Sequence, residues 1–297
     1  MPEVMLRTVT GPLRAAAVTG PVLPHEHLRV DLRWGVGIDS DPHRWLDEEE
    51  AVAGELRELR QTRELGLVVE LSCIGMGRDA AMLTRIATSG RVPVVAATGL
   101  FTGPFAPADA DAGELTRRLM EEITSGLDGT GVLPGVIGEV GCWGPRLTRA
   151  EERCLVAAAR ASLSSRLPVA TYGADALGIL DVLLGHGLPA SRVSVSYAGQ
   201  DPAVARKIAE AGAYVSLGSL ALGPADAVRL TLGLLEDGHA ERLLLSSGLN
   251  RAARIRRYGG PGYAHLFDAV LPRLREAGVE EDVIRLITHD NPLRWLS

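Results

Sequence analysis

The stretch 22–28, VLPHEHL, places His25 and His27 one residue apart at the end of a short apolar run. Alternate side chains of an extended chain point to the same side, so both imidazoles should lie within reach of a single ion. Imidazole is a common ligand of zinc and other divalent metals. A pair of hydrogen-bonded loop histidines is the alternative interpretation, because this spacing also occurs by chance.

Strand-like and helix-like segments alternate about eight times along the chain. The predicted strands are nearly continuous apolar runs, which is typical of a parallel sheet that is covered on both faces. After a first strand that ends at the histidine pair, they cover residues 67–72, 92–98, 135–140, 168–172, 192–197, 213–217 and 242–247. The predicted helices cover residues 45–65, 80–89, 113–124, 148–164, 176–184, 202–211, 225–237, 263–277 and 280–287.

This alternation predicts an α/β protein with a closed (β/α)8 TIM barrel. No linker or shift in composition divides residues 1–297, so we predict a single domain, with a short hairpin in 1–21 ahead of the barrel. In such barrels the chemistry lies at the carboxyl ends of the strands. The residues to examine are therefore those at which each strand stops.

Composition excludes several classes of protein. The chain has 297 residues, 46% of them hydrophobic and 23% charged, and a net charge of -6. No basic stripe with interleaved aromatics indicates nucleic-acid binding, and no apolar run is long enough for a membrane span. Three cysteines without a Cys-x-x-Cys motif and the lack of a secretion signal predict a cytoplasmic protein. We expect a small-molecule substrate as partner and leave a homodimer open.

Several strand ends and turns together resemble the phosphotriesterase family of the amidohydrolase superfamily, which includes phosphotriesterases, lactonases and homology proteins. The matching stretches are PHEHL at 24–28, GMGRD at 75–79, VAATGL at 95–100, AAARAS at 157–162, YGG at 258–260 and NP at 291–292. They follow one another in the right order over nearly the whole chain.

The resemblance implies a barrel that holds two divalent metals, usually zinc. Family ligands are the His-x-His pair, a carboxylated Lys or a Glu on strand four, one His each on strands five and six, and an Asp after strand eight. This chain matches at three of these positions and differs at three: it matches at His25, His27 and Glu139 and has Tyr172, Tyr197 and Gly248 at the others. Two His and one Glu is a ligand set that catalytic zinc uses. We therefore expect at most one zinc ion, or a metal-free site.

The Asp of the family also handles the proton of the attacking water, and Gly248 has no side chain for this task. Among the remaining histidines only His289, near the chain end, is a candidate replacement, and a weak one. The two tyrosines allow two interpretations. Their rings could fill the vacated space, with the hydroxyls paired to Glu139 or His25. Alternatively, Tyr172 or Tyr197 acts as a general acid, with Glu139, whose pKa we expect to be raised, or a histidine as base.

Trp34, Trp143 and Arg251 are predicted to line a substrate pocket, and the alternative for the two tryptophans is that they only cover the mouth of the barrel. Four arginines between residues 251 and 257 are expected to form a solvated helical face, with anion recognition as the alternative.

Three functions remain open. The first is a divergent phosphotriesterase-family enzyme that hydrolyses an ester or lactone of a small organic substrate with at most one metal. The second is a metal-free isomerase, dehydratase or cyclase that uses Tyr, His and Glu. The third is a non-catalytic ligand-binding relative.

Overall fold

The computed structural model describes residues 4–33, 45–101, 110–197 and 199–297. The described chain begins with an antiparallel hairpin, β1 (Met5–Thr8) and β2 (Gly11–Arg14), which confirms the predicted hairpin. A second antiparallel pair joins β4 (Val30–Asp31) to β5 (Trp45–Leu46). The helix predicted from residue 45 begins only at Glu49, because residues 45 and 46 pair with β4 instead.

Eight parallel strands form one sheet, and each pairs with the next along the chain. The α/β barrel prediction is therefore confirmed, since this strand order is that of a (β/α)8 barrel. The strands are β3 (Val22–Glu26), β6 (Leu67–Glu70), β7 (Val94–Thr98), β8 (Val136–Cys142), β9 (Val169–Gly173), β10 (Val193–Ser196), β11 (Tyr214–Gly218) and β12 (Leu243–Ser246).

Helices connect the strands and cover the sheet. They are α1 (Glu49–Thr62), α2 (Ala80–Gly90), α3 (Ala112–Ser125), α4 (Arg149–Ser165), α5 (Ala176–Gly185), α6 (Pro202–Glu210), α7 (Ser219–Leu222), α8 (Pro224–Glu236), α9 (Leu271–Glu276), α10 (Glu281–Arg285) and α11 (Asn291–Trp295). Single π-helical turns at Leu266–Val270 and Leu286–Asp290 precede α9 and α11. No helix in the described ranges is long and apolar enough to cross a membrane.

The first and last strands meet at a seam that is held by a buried carboxylate. The carboxylate of Glu26 on β3 accepts a hydrogen bond from the hydroxyl of Ser246 on β12 at 2.7 Å, and that hydroxyl oxygen accepts one from the His25 N–H at 3.1 Å. Three successive backbone N–H groups also donate to the carboxylate, at 2.7, 3.1 and 2.8 Å: those of Ser247, Gly248 and Leu249. All four donors to Glu26 lie at the end of β12 or directly after it. The carboxylate therefore joins the first strand of the sheet, β3, to the last, β12.

The apolar core has two parts, and strand alternation separates them. Val68 packs in a large cluster with helix residues, whereas Leu67 and Val69 on the opposite face join a second cluster. That second cluster unites residues of several strands with Leu6 of the hairpin and Trp295 of α11. The hairpin and the last helix thus close one end of the barrel, and the polar residues are left at the other end.

Candidate metal and substrate site

Three potential metal ligands converge at the carboxyl ends of β3 and β8. His25 lies on β3, His27 lies one residue beyond the end of that strand, and Glu139 lies on β8. One donor atom from each lies within 4.8 Å of the others, and all three side chains are buried. His25 Nε2 and Glu139 Oε2 are 2.7 Å apart. In the parts of the chain that the structure describes, no second group of three His, Cys, Asp or Glu side chains meets this condition.

Neighbouring groups fix the orientation of the second histidine. His27 Nδ1 forms a 3.0 Å hydrogen bond with the hydroxyl of Ser72, which leaves Nε2 to face the other two ligands. The N–H of Ser72 donates in turn to Glu70 at 2.8 Å, and the hydroxyl of Tyr263 donates to the His27 carbonyl at 2.7 Å. Partners of this kind hold a metal-binding imidazole in one tautomer and one orientation.

The electrostatics of the cluster follow from burial and mutual charge. Burial lowers the pKa of His27 to about 4, so this imidazole is neutral at physiological pH. Burial would also lower the pKa of His25, but the adjacent Glu139 carboxylate outweighs it and the pKa is raised. Burial alone would raise the pKa of Glu139, yet the two histidines hold it below its ordinary value. Our expectation of a raised pKa for Glu139 is therefore wrong, because it considered the phenols and left the imidazoles out.

The three residues fit a single divalent ion. Glu139 Oε2 is fully buried, and although it lies close to His25 it accepts no hydrogen bond of normal geometry. A buried carboxylate oxygen without a hydrogen bond is costly unless a cation compensates it. Two imidazole nitrogens and one carboxylate oxygen are a ligand set of catalytic zinc.

The remaining three positions of the family pattern have different surroundings. Tyr197 is buried, and its phenol oxygen accepts a hydrogen bond from the N–H of Asp201 at 3.1 Å. Tyr172, at the end of β9, is 37% exposed and lines a cavity. Gly248 has φ +69, and a Cβ there would lie 3.2 Å from the Cα of Gly218. A residue with a side chain would therefore be strained at position 248.

A cavity of about 580 Å³ opens at this end of the barrel, with His25, His27 and Glu139 in its lining. Its apolar wall includes Phe101 and Trp143, whose rings meet edge to face with centroids 5.5 Å apart. Its volume lies within the usual range of small-molecule sites. The remaining lining includes Val30, Leu32, Met76, Cys142, Tyr172, Tyr197, Arg251 and Arg254. Trp143 and Arg251 line this cavity, while Trp34 lies outside the described residues.

The arginine-rich segment departs from the expected helical face. It forms two 3-10 turns, Ala252–Arg254 and Arg256–Tyr258. Arg251 precedes the first turn in an extended conformation and Arg254 ends that turn, and both side chains line the cavity. Outside the cavity, Arg256 pairs with Glu58 at 2.6 Å and Arg257 with Glu48 at 3.0 Å. The expectation of a solvated helical face is therefore wrong for Arg251 and Arg254, because the segment after β12 forms short turns that bring both to the cavity.

His289 lies away from the site. His289 Nδ1 forms a 2.6 Å hydrogen bond with the carbonyl of Gly20, which precedes β3. His25 and His27 lie at the opposite end of that strand. It lines a separate cavity of about 780 Å³ beside the amino-terminal segment. His289 therefore lies too far away to act as a catalytic base at the cluster of His25, His27 and Glu139.

Comparison with known proteins agrees with this geometry. The model of the Phosphotriesterase family matches residues 4–296. The chain is 30% identical over 289 residues to the Phosphotriesterase homology protein of Escherichia coli K12, covering 93% of this chain and 98% of the relative. It is 29% identical over 274 residues to the N-acetyltaurine hydrolase of Homo sapiens, covering 84% of this chain and 78% of the relative.

The solved structures agree with the sequence comparison. The crystal structure of the Escherichia coli phosphotriesterase homology protein, complexed with phosphate in its active site, superposes with a TM-score of 0.89 at 27% identity. The match covers 94% of this chain and 99% of that one. The chain belongs to the phosphotriesterase family.

Proposed function

We propose that the chain is a hydrolase that cleaves an ester, lactone or related acyl bond of a small organic molecule, with one divalent ion held by His25, His27 and Glu139. The observation that carries this proposal is the buried Oε2 of Glu139, which faces two imidazoles without a normal hydrogen bond. The human relative, which is named as a hydrolase of N-acetyltaurine, supports the reaction class.

Each residue has a defined task in this proposal. His25, His27 and Glu139 would hold a zinc ion, which would supply Lewis acidity toward a carbonyl oxygen and a water molecule. His27 offers a neutral Nε2 at physiological pH because burial lowers its pKa to about 4. Ser72 keeps the other ring nitrogen occupied. Tyr172 lines the cavity with a phenol that donates a hydrogen bond to the substrate oxygen, which stabilises charge that develops there.

The test combines metal content with turnover. Elemental analysis of the purified chain should give about one zinc per chain, and hydrolysis of p-nitrophenyl acetate and γ-butyrolactone should fall on chelation and return with zinc. His27→Asn should lose both the metal and the activity. The matched control is His186→Asn, since His186 is exposed and bonds only the Val182 carbonyl at 2.8 Å.

Two results would contradict the proposal. Turnover that survives both chelation and His27→Asn would favour a metal-free acid-base enzyme. Ligand capture without turnover of any ester or lactone would favour a non-catalytic binding protein.

A further inference from the structure

We infer that Ser196 is a substrate-binding residue, and that the molecule bound in the cavity carries a neutral hydroxyl group that meets the hydroxyl of Ser196. This serine is the last residue of β10 and is only 8% exposed. It belongs to the lining of the cavity that also includes His25 and Glu139. The inference deepens the proposed function, and it rests on that function only in treating this molecule as the substrate.

The side chains of β10 alternate between two faces of the sheet. Val193 and Val195 belong to the large apolar cluster that includes helix residues, so Ser194 and Ser196 face the barrel interior. Ser196 pairs in register with Tyr172 of β9, and both residues line the cavity, whereas Ser194 does not. Of the two inward-facing serines, Ser196 is therefore the one that reaches the cavity.

The hydroxyl of Ser196 differs from neighbouring polar groups of the cavity in its partners. The phenol oxygen of Tyr197 accepts a hydrogen bond from the N–H of Asp201, and His27 shares one with the hydroxyl of Ser72. No described residue forms a hydrogen bond with the Ser196 hydroxyl. A hydroxyl that is largely removed from water and has neither donor nor acceptor is unfavourable, and a hydroxyl group of a ligand supplies both.

The strands on both sides of β10 end in glycines that line the cavity, Gly173 on β9 and Gly218 on β11. Since glycine has no side chain, neither position fills the space beside Ser196. Apolar side chains such as Met76 and Phe101 line the cavity after β6 and β7, across the barrel. The molecule that fits is a small acyl compound with its reacting bond at the metal-type cluster, an apolar part toward Phe101, and a hydroxyl group at Ser196.

NMR titration of the purified chain with γ-butyrolactam and its α-hydroxy and β-hydroxy derivatives tests the inference without requiring turnover. One of the hydroxylated lactams should bind about three- to tenfold more tightly than γ-butyrolactam, which is the contribution of one hydrogen bond. Ser196→Ala should abolish this preference and leave the affinity for γ-butyrolactam unchanged. The matched control is Ser194→Ala, which should keep the preference, since Ser194 is buried on the same face of β10 and does not line the cavity.

Wild-type protein that binds the three lactams equally, or binds none of them, would overturn the inference. A preference that persists in Ser196→Ala, or an equal loss of affinity for all three lactams in that variant, would also overturn it. If Ser196→Ala does not fold, Ser196→Cys takes its place, because a thiol is a weak donor and a weak acceptor.

Hydrolysis is measured separately, so the two proposals can fail independently. Metal-dependent hydrolysis of γ-butyrolactone without any preference for a hydroxylated lactam would support the proposed function and overturn the role of Ser196. A preference that depends on Ser196 in a chain that hydrolyses no ester or lactone would support the binding role and contradict the proposed function.

Discussion

The ends of β3 and β8 hold two imidazoles and a carboxylate, whereas the ends of β9 and β10 hold phenols and β12 is followed by a glycine. The first half of the barrel mouth is buried and offers electron-pair donors to a cation. The second half offers the exposed phenol of Tyr172 and the buried phenol of Tyr197, and the turn beyond it adds the guanidinium of Arg254. One half thus presents electron-pair donors, and the other presents hydroxyl and guanidinium groups.

The two halves of the barrel mouth also differ in how closely their own backbone and side chains pack. At Gly248 the backbone is in the left-handed region and passes close to Gly218, so a side chain there is strained. The phenol oxygen of Tyr197 accepts a hydrogen bond from the backbone N–H of Asp201. In the second half these positions are thus occupied by contacts within the protein. In the first half, His25, His27 and Glu139 bring three potential metal ligands together.

The largest effect is expected from a change in the first half. Glu139→Gln should lower zinc content to below about a tenth of an equivalent and hydrolysis by at least about a hundredfold, since losing even an outer-shell partner costs roughly 10–100-fold. Metal analysis and kcat/KM measure this. Glu241→Gln is the control, because Glu241 is exposed and lies 3.8 Å from Arg294. Full activity in Glu139→Gln would remove the distinction between the halves.

The seam between the halves can be tested through stability. Glu26→Gln replaces an acceptor oxygen by a donor against the hydroxyl of Ser246 and three backbone N–H groups. At least one buried donor loses its partner, so the free energy of unfolding should fall by about 2–4 kcal/mol. Urea denaturation measures it, with Glu58→Gln at the surface as control. A change below about 0.5 kcal/mol would show that the carboxylate does not fasten the sheet.

The two tyrosines should respond differently. Tyr172→Phe should lower kcat about tenfold with little change in stability, because this phenol lines the cavity and is partly exposed. Tyr197→Phe should lower the free energy of unfolding by about 1 kcal/mol, because the Asp201 N–H loses its acceptor. Each variant is the control for the other. If kcat is unchanged in both variants, the two tyrosine rings only fill space in the barrel mouth.

The smallest effect on activity is expected at Gly248. Gly248→Ala should destabilise the fold by about 1–2 kcal/mol through its positive φ. Gly187→Ala is the matched control for the backbone cost alone, because φ is +82 there and no atom would lie within 4 Å of the added Cβ, whereas at Gly248 the Cα of Gly218 would lie 3.2 Å away. Gly248→Asp should bind no second zinc ion. Two zinc ions per chain in that variant would show that a single residue separates the halves.

The sequence predicted the parts of this protein that depend on local patterns. Alternating apolar strands and helices predicted the barrel, and the helix predicted over 148–164 is α4, which begins after a capping box of Thr148 and Glu151. The His25–His27 pair followed from the period of an extended strand. The match of Glu139 to the family pattern identified it as the third member of the cluster.

Only the tertiary structure decided the charge state and the partners of these residues. The pKa of Glu139 is lowered because His25, far away in sequence, lies 2.7 Å from it. Arg254 faces the cavity because the segment after β12 folds into a 3-10 turn. Periodicity and capping act between neighbours in the chain, whereas Coulomb interactions and desolvation depend on which distant groups the fold brings together.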